Sequence, residues 1–118
     1  MSAETALQAL LAANSTVAAI VGTRISADRA EQGAARPLIV YARVSSQPFT
    51  ALDGTHLRTQ ASIDVQCWAD TRLAAETLAD AVAAAVRGVT SQAVVGRSAV
   101  LDAELDAFGA VLNVNWWE

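Results

Sequence analysis

The sequence predicts an α+β domain in which a four-stranded antiparallel sheet carries two main helices on one face. Hydrophobic residues recur at helical spacing near the start and again after residue 70, and residues between these helices alternate as in a strand. The predicted order is therefore helix-strand-strand-helix-strand-strand, and four strands with helices on one face bury every apolar stripe. A length of 118 residues, 53% of them hydrophobic, suits one core, so we expect a single domain over residues 1–118.

The first helical segment begins near Ser2, which can cap a helix whose first turn contains Glu4. Three leucines then follow at helical spacing: Leu7, Leu10 and Leu11. The residues "ANST" interrupt this pattern, and a short "VAAIV" turn ends at Gly22.

The second main helix is the strongest pattern of the chain, "TRLAAETLADAVAAAVR". Asp70 or Thr71 can cap it and Gly88 can end it. One face carries the predicted buried stripe: Ala74, Leu78, Val82 and Val86, widened by Ala81 and Ala85. The opposite face carries Arg72, Glu76 and Asp80.

Strands are predicted from β-branched content and alternation. The first spans Leu38–Val44, and "SSQPFTALDG" reads as a polar connection with Phe49 and Leu52 at its tip and a turn at Asp53-Gly54. In the next strand, "TQASIDVQCW", one face is apolar: Ala61, Ile63, Val65 and Cys67. The last two strands lie around "GRSAVLDAEL" and "GAVLNVNWW".

A long arm before the first strand, residues 22–37, fits no regular periodicity. Irregular loops of this length are uncommon in compact domains and tend to be functional or disordered. The arm is rich in charged and polar side chains, and if it is functional its candidate contact residues are Arg24, Asp28, Arg29, Gln32 and Arg36.

The charge pattern excludes some function classes. The formal net charge is −4 and all eight basic residues are Arg, so no basic cluster indicates binding to a phosphate backbone. Arginine is instead enriched at protein interfaces. The N-terminus lacks the basic region of a signal peptide and no apolar run is long enough for a membrane span, so we expect the chain to be made and kept in the cytoplasm, without membrane contact, or exported only as part of something larger.

No residue pattern predicts an enzyme, a metal site or a cofactor. His56 lies beside Asp53 in a turn, which is too little for a catalytic triad, and Cys67 falls on the apolar face of a strand. Three acids two residues apart do not complete a calcium loop, because Ala107 and Asn113 stand where that loop needs Gly and an acid. Alternation on a strand places Asp102, Glu104 and Asp106 on one acidic face, which is either simply solvated or a surface that repels a polyanion or meets a basic partner.

Two adjacent tryptophans, Trp116 and Trp117, end the last predicted strand. Neighbouring strand residues point to opposite faces, so both indoles cannot enter one core. We therefore add Trp116, Trp117, Phe49 and Leu52 to the interface candidates.

Five pieces of the sequence follow one another in a recognisable order: "RISADRAEQGAARPLIVYARVS", "LDG", "IDVQCWAD", "AAETLADAVAAAV" and "NVNWWE". Together they resemble the tail completion proteins of long-tailed phages, which are also called tail terminators or tail-to-head joining proteins. Gene transfer agents carry a related component. The similarity covers nearly the whole chain. The chain departs from the family pattern at Ser26 and Ala27, where an aromatic residue and a proline are expected, and at Glu31, where proline is common.

The resemblance implies a homo-oligomeric ring, typically a hexamer, that caps the head-proximal end of the tail tube in the virion. Its partners would be the tail tube protein and the head connector or stopper, with DNA passing through the channel without specific binding. The arm would then be a subunit or partner interface whose arginines pair with acids of a neighbour. It is long enough to reach one, since Ser26–Pro37 spans about 40 Å when extended and a globule of this length has a radius of gyration of about 13 Å. Two alternatives stay open: another neck component, such as a stopper or adaptor, or a small cytoplasmic ligand-binding or enzymatic domain around His56, Asp53 and the acidic strand.

Overall fold

The computed structural model describes residues 3–22, 24–28, 36–89, 92–102 and 107–117, with His56 and Asp102 described by their backbone alone. The elements follow in chain order: α1 (Ala3–Ala13), α2 (Ser15–Val21), β1 (Ile25–Ala27), β2 (Leu38–Thr50), β3 (His56–Ala69), α3 (Arg72–Arg87), β4 (Ala93–Asp102) and β5 (Ala107–Trp117). The strands form one sheet in the order β1-β2-β3-β5-β4, in which β1 is parallel to β2 and the other pairs are antiparallel.

The α+β class is confirmed, but the predicted four-stranded antiparallel sheet with two helices was wrong in detail. Among the described residues the sheet has a fifth strand, β1, which lies inside the predicted arm and pairs Ile25–Ala27 with Ile39–Tyr41. A three-residue strand is too short to show a period of two, so alternation could not reveal it.

The N-terminal helical segment is two helices, α1 and α2, which meet at an angle of 85°. Asn14 separates them and caps α2, since its side-chain oxygen accepts a hydrogen bond from the Val17 backbone N–H at 3.1 Å. Gly22 ends α2 with a φ of 59°, a left-handed conformation that glycine adopts without strain. No single helix in the described part of the chain is long and apolar enough to cross a membrane, although the bent α1–α2 pair would be by length and composition.

Helix α3 begins and ends where the sequence predicts. Thr71 caps it by accepting a hydrogen bond from the Ala74 backbone N–H at 3.1 Å, and Gly88 follows its last turn. The buried face is Ala75, Leu78, Ala79, Val82, Ala83, Ala85 and Val86. Ala74, predicted to lie in the buried stripe, is exposed, because the stripe follows the i, i+3, i+4 row through Ala75 instead.

Side chains on the polar face of α3 bind groups of β4 and β5. The Arg72 guanidinium donates to the carbonyl oxygens of Gly109 and Val100, at 2.8 and 2.9 Å. Glu76 and Asp80 both bind Arg97 of β4. The predicted hydrophilic face therefore ties α3 to the β4–β5 edge of the sheet.

The core lies between the three helices and one face of the sheet. The predicted inward face of β3 is confirmed, since Ala61, Ile63, Val65 and Cys67 are all fully buried. Their partners from the helices and from β2 and β5 include Leu7, Leu11, Val17, Leu78, Val82, Ile39, Leu112 and Val114.

Gly109 lets side chains of the neighbouring strands approach β5 closely on the sheet face opposite the helices. A Cβ at this position would lie 2.8 Å from Val100 Cγ2 and 2.9 Å from the Trp68 ring, both too near for a real side chain. Glycine therefore lets the Trp68 ring lie directly against the β5 backbone at Gly109.

The β2–β3 hairpin is longer than predicted. The polar "SSQPFT" is not a connection but the second half of β2, paired with β3 from Ser45 opposite Ser62 to Phe49 opposite Arg58. Every residue from Val44 to Thr50 is exposed, so this half projects beyond the core. The principal extents are 52 × 29 × 23 Å and the radius of gyration is 14.9 Å, against about 13.5 Å for a compact chain of this length.

Candidate interaction surface

An aromatic and arginine cluster lies where the projecting hairpin leaves the sheet. Phe49 and Trp117 pack with ring centroids 5.0 Å apart and an interplanar angle of 52°. The Arg58 guanidinium lies 5.3 Å from the centroid of the Trp117 ring, within cation–π distance. We call Phe49, Arg58 and Trp117 the aromatic platform.

Hydrogen bonds between Gln92 and the Trp117 backbone hold the aromatic platform in place. The Trp117 backbone N–H donates to the Gln92 side-chain oxygen at 2.8 Å, and the Gln92 amide donates back to the Trp117 carbonyl at 3.4 Å. This reciprocal pair fixes the end of β5, so the Trp117 ring is positioned before any partner arrives. Phe49 remains 39% exposed and offers apolar surface for contact.

The hairpin carries further apolar side chains that the described chain leaves largely exposed. Leu52 at the turn is fully exposed, and Leu57 and Val44 are each about three-fifths exposed. The turn itself is ordered, because the Thr55 backbone N–H donates to the Asp53 carboxylate at 2.9 Å and Gly54 takes a φ of 89°. Hydrogen bonds from Thr55, side chain first and backbone second, lower the pKa of Asp53 below its ordinary value.

Two arginines of the predicted arm, Arg24 and Arg36, bind groups of their own subunit, and pairing of the arm with acids of a neighbour stays a prediction. Arg24 donates to the carbonyl oxygens of Pro37 and Ile20, at 2.8 and 3.3 Å. Arg36 forms an ion pair with Asp70 at 2.7 Å. These contacts fasten both ends of the arm to the domain.

The other arm candidates divide between described and undescribed residues. Asp28 is exposed, takes a left-handed φ of 66° and donates its backbone N–H to the Tyr41 carbonyl at 2.8 Å, which closes β1. Arg29 and Gln32 lie outside the described residues, and an interface role for them stays a prediction.

The two C-terminal tryptophans separate as alternation requires. Trp116 packs into the core and is only 6% exposed, so it is not a surface candidate. Trp117 lies on the other face, half-buried in the aromatic platform. The interface hypothesis is therefore kept for Trp117 alone.

The predicted acidic face lies largely outside the described residues. Glu104 and Asp106 are not described, and Asp102 is described only as the backbone end of β4. A described acid on the sheet, Asp64, faces away from the helices and accepts a hydrogen bond from Asn113 at 2.9 Å. The acidic face stays a prediction.

The residues of the ligand-binding or enzymatic alternative, His56 and Asp53, form no described site, and Cys67 has the structural position that the sequence predicts. Cys67 is fully buried, and burial raises the pKa of its thiol from 9.0 to about 12, opposite to what a nucleophilic thiolate needs. Asp53 is engaged with Thr55 in the turn, and the His56 side chain lies outside the description. Nothing described here gives His56 and Asp53 a shared pocket.

A shallow cavity of about 390 Å³ lies between α1, β1 and β2, lined by Glu4, Ala27, Asp28, Tyr41, Ala42 and Arg43. Its polar groups bind one another, since Glu4 pairs with Arg43 and the Tyr41 hydroxyl donates to Gln8 at 2.5 Å. Burial, followed by the charges of Glu4 and Asp28, raises the pKa of Tyr41. This arrangement fixes α1 to the sheet.

Sequence reasoning named Phe49 and Trp117 but missed Arg58 and Gln92. Hairpin register could have found Arg58, because counting outward from the Asp53-Gly54 turn places it opposite Phe49. Nothing local to Gln92 indicates its contact with a residue 25 positions later.

The described geometry is that of an α+β domain in which four of the seven exposed large hydrophobic side chains lie on one projecting hairpin, and exposed apolar patches mark sites of contact with other proteins. The family model for tail completion protein gp17 matches residues 5–118. The chain therefore belongs to this family of tail completion proteins.

A solved structure, a chain of the "virion of native gene transfer agent (GTA) particle", has the same fold. The TM-score is 0.73 at 18% sequence identity, with 97% of this chain and 92% of that chain covered. No curated protein matches the chain.

Proposed function

We propose that the chain is a structural, non-enzymatic protein that closes the head-proximal end of a phage or gene transfer agent tail tube as a ring and joins it to the head connector. The observation that carries this proposal is the tail completion family match over residues 5–118. The shared fold with a chain of a gene transfer agent particle supports placing it in a particle.

The aromatic platform and the hairpin tip are the proposed contact surface toward the tail tube or the connector. Trp, Tyr and Arg dominate the energetics of protein interfaces, and Phe49, Arg58 and Trp117 combine aromatic area with a delocalised charge. Leu52 and Leu57 add apolar surface that is costly to leave in water. Asp28, Arg29 and Gln32 remain proposed secondary contacts.

The charge of the chain suits a ring through which DNA passes. A net charge of −4 without lysine gives the polyanion no cluster to adhere to. Asp102, Glu104 and Asp106 are the proposed residues facing that channel. The proposed sequence of locations is assembly in the bacterial cytoplasm and then the head–tail junction of the virion.

The direct test is affinity purification of the tagged chain from its host during particle production, with mass spectrometry of the co-purifying proteins. We expect the tail tube protein and the connector or stopper, with this chain at ring stoichiometry. Recovery with head proteins but without tail tube would assign it to another neck component. Recovery with metabolic proteins alone would overturn the proposal and return attention to His56 and Asp53.

A variant pair locates the contact surface. Phe49→Ser with Leu52→Ser removes exposed apolar area from the hairpin, and Leu73→Ser removes a comparably exposed leucine from α3. We expect the hairpin variant to fold but to enter particles at less than a tenth of the wild-type level, because interface hot spots typically contribute 2 kcal/mol or more. Equal incorporation of both variants would show that the hairpin is not the contact surface.

A further inference from the structure

Strand β4 leaves an open edge on the sheet. It is last in the strand order and pairs with β5 alone among the described strands. The residues from Val95 to Ala99 are all exposed. In an edge strand, alternate backbone N–H and C=O groups point away from the sheet and can pair with another chain.

β4 has few of the features, such as proline or unpaired charges, that prevent an edge strand from pairing with another chain. Its interior contains no proline, and its charged residue, Arg97, is neutralised by Glu76 and Asp80 of α3. A bulge lies between Val94 and Gly96, which leaves Arg97–Asp102 as a regular ladder. Among its described side chains, the regular part of the edge therefore presents no unpaired charge to a partner strand, and Asp102 lies at its end.

A second open stretch lies at the opposite side of the same sheet. β1 covers β2 at Ile39–Tyr41, and no described strand pairs with Val44–Gln47 on that side. Pro48 ends this stretch, because proline has no N–H to donate to a new ladder.

The two open stretches run in opposite directions. β2, β3, β5 and β4 are successive antiparallel neighbours, so β4 is antiparallel to β2. The register across the sheet places Ser98 level with Val40, which β1 covers, so two copies with their helices on the same side must also be offset along the strands by about five residues, roughly 17 Å. This placement brings β4 of one copy beside Val44–Gln47 of the next in the more stable antiparallel arrangement.

We infer that β4 of each subunit pairs with the Val44–Gln47 segment of β2 in a second copy of this chain. The contact is heterologous, and such contacts close into rings when the rotation between copies permits. The inference rests on the proposed ring and adds the surface through which its subunits join.

Cysteine cross-linking in particles tests the pairing. Ser98 of β4 and Ser45 of β2 are exposed serines on the sheet face opposite the helices, so Ser98→Cys with Ser45→Cys is a nearly isosteric pair. A short bis-maleimide tolerates small differences in register. Native Cys67 can stay, since it is buried and its thiol pKa is about 12. The controls are each single variant and Ser98→Cys with Ala84→Cys, which places the second thiol on the exposed face of α3.

We expect the Ser98–Ser45 pair to give a ladder of covalent multimers of this chain in purified particles, at least tenfold above the controls. Particles that contain the chain but show no such ladder would overturn the pairing while leaving the proposed function intact. Dimers from Ser98→Cys alone would show β4 pairing with itself, and cross-links to a different particle protein would show another occupant, each of which refutes the inference. Absence of the wild-type chain from particles would instead refute the proposed function, and the pairing with it.

Discussion

Two leucines on α3 provide the sharpest test of how the helix packs. Leu78 is fully buried between α3 and the sheet, whereas Leu73, one and a half turns earlier, is 78% exposed. Replacing each by Ala removes the same atoms and changes helix propensity equally. Truncation of a buried leucine costs about 3 kcal/mol, and an exposed one less than about 0.5 kcal/mol.

These free energies convert to melting temperatures through the unfolding entropy. A chain of 118 residues has an unfolding entropy of about 0.25 kcal/mol/K, so Leu78→Ala lowers Tm by about 12 °C and Leu73→Ala by about 2 °C or less. Differential scanning calorimetry, with circular dichroism of the native state as a folding check, measures both. Equal shifts, or a larger shift for Leu73→Ala, would show that α3 does not bury the face described.

Three further changes probe the cap, the buried thiol and the aromatic platform. Thr71→Ala should cost about 1 kcal/mol, or a Tm loss of about 4 °C, while Thr71→Ser keeps the cap and most of the stability; equal losses would contradict the capping role. Burial raises the pKa of the Cys67 thiol from 9.0 to about 12, so the contribution of this thiol to stability is complete below pH 9 and is lost as pH rises toward 12. In chemical denaturation across this range, the free energy of unfolding of the wild type should fall by up to about 1.4 kcal/mol per pH unit more than that of Cys67→Ala. A double-mutant cycle of Phe49→Ala and Trp117→Ala should give a coupling of about 0.5–1.5 kcal/mol in urea denaturation, and additive effects would mean that the rings do not interact.

The fold was predictable where apolar periodicity is strong. β3 alternates cleanly, and Leu78, Val82 and Val86 mark the inner side of α3. Ala74 was assigned wrongly because alanine is small and weakly hydrophobic, so an Ala-rich helix defines the width of its buried face poorly. β1 was missed because three residues carry no period.

The candidate surface was predictable only in part, because its elements are held by backbone pairing and long-range contacts. The outer half of β2 is polar and exposed, so burial gives no strand signal there; its pairing with β3 defines it. The arm attracted attention through its charges, yet Arg24 and Arg36 bind groups of their own subunit. Charge density in a sequence does not distinguish an arginine that binds a partner from one that fastens a loop.

The distribution of burial suggests where assembly contributes most. The inner face of α3 carries four alanines, Ala75, Ala79, Ala83 and Ala85, so it buries little area per residue. The β2–β3 hairpin meanwhile holds Phe49, Leu52 and Leu57 outside the core. Apolar area that could have enlarged the core is thus placed where a neighbour can cover it. Because any partner that binds the folded chain alone stabilises it by mass action, the proposed contacts at the hairpin and at the sheet edges would stabilise the subunit and join it to the particle together.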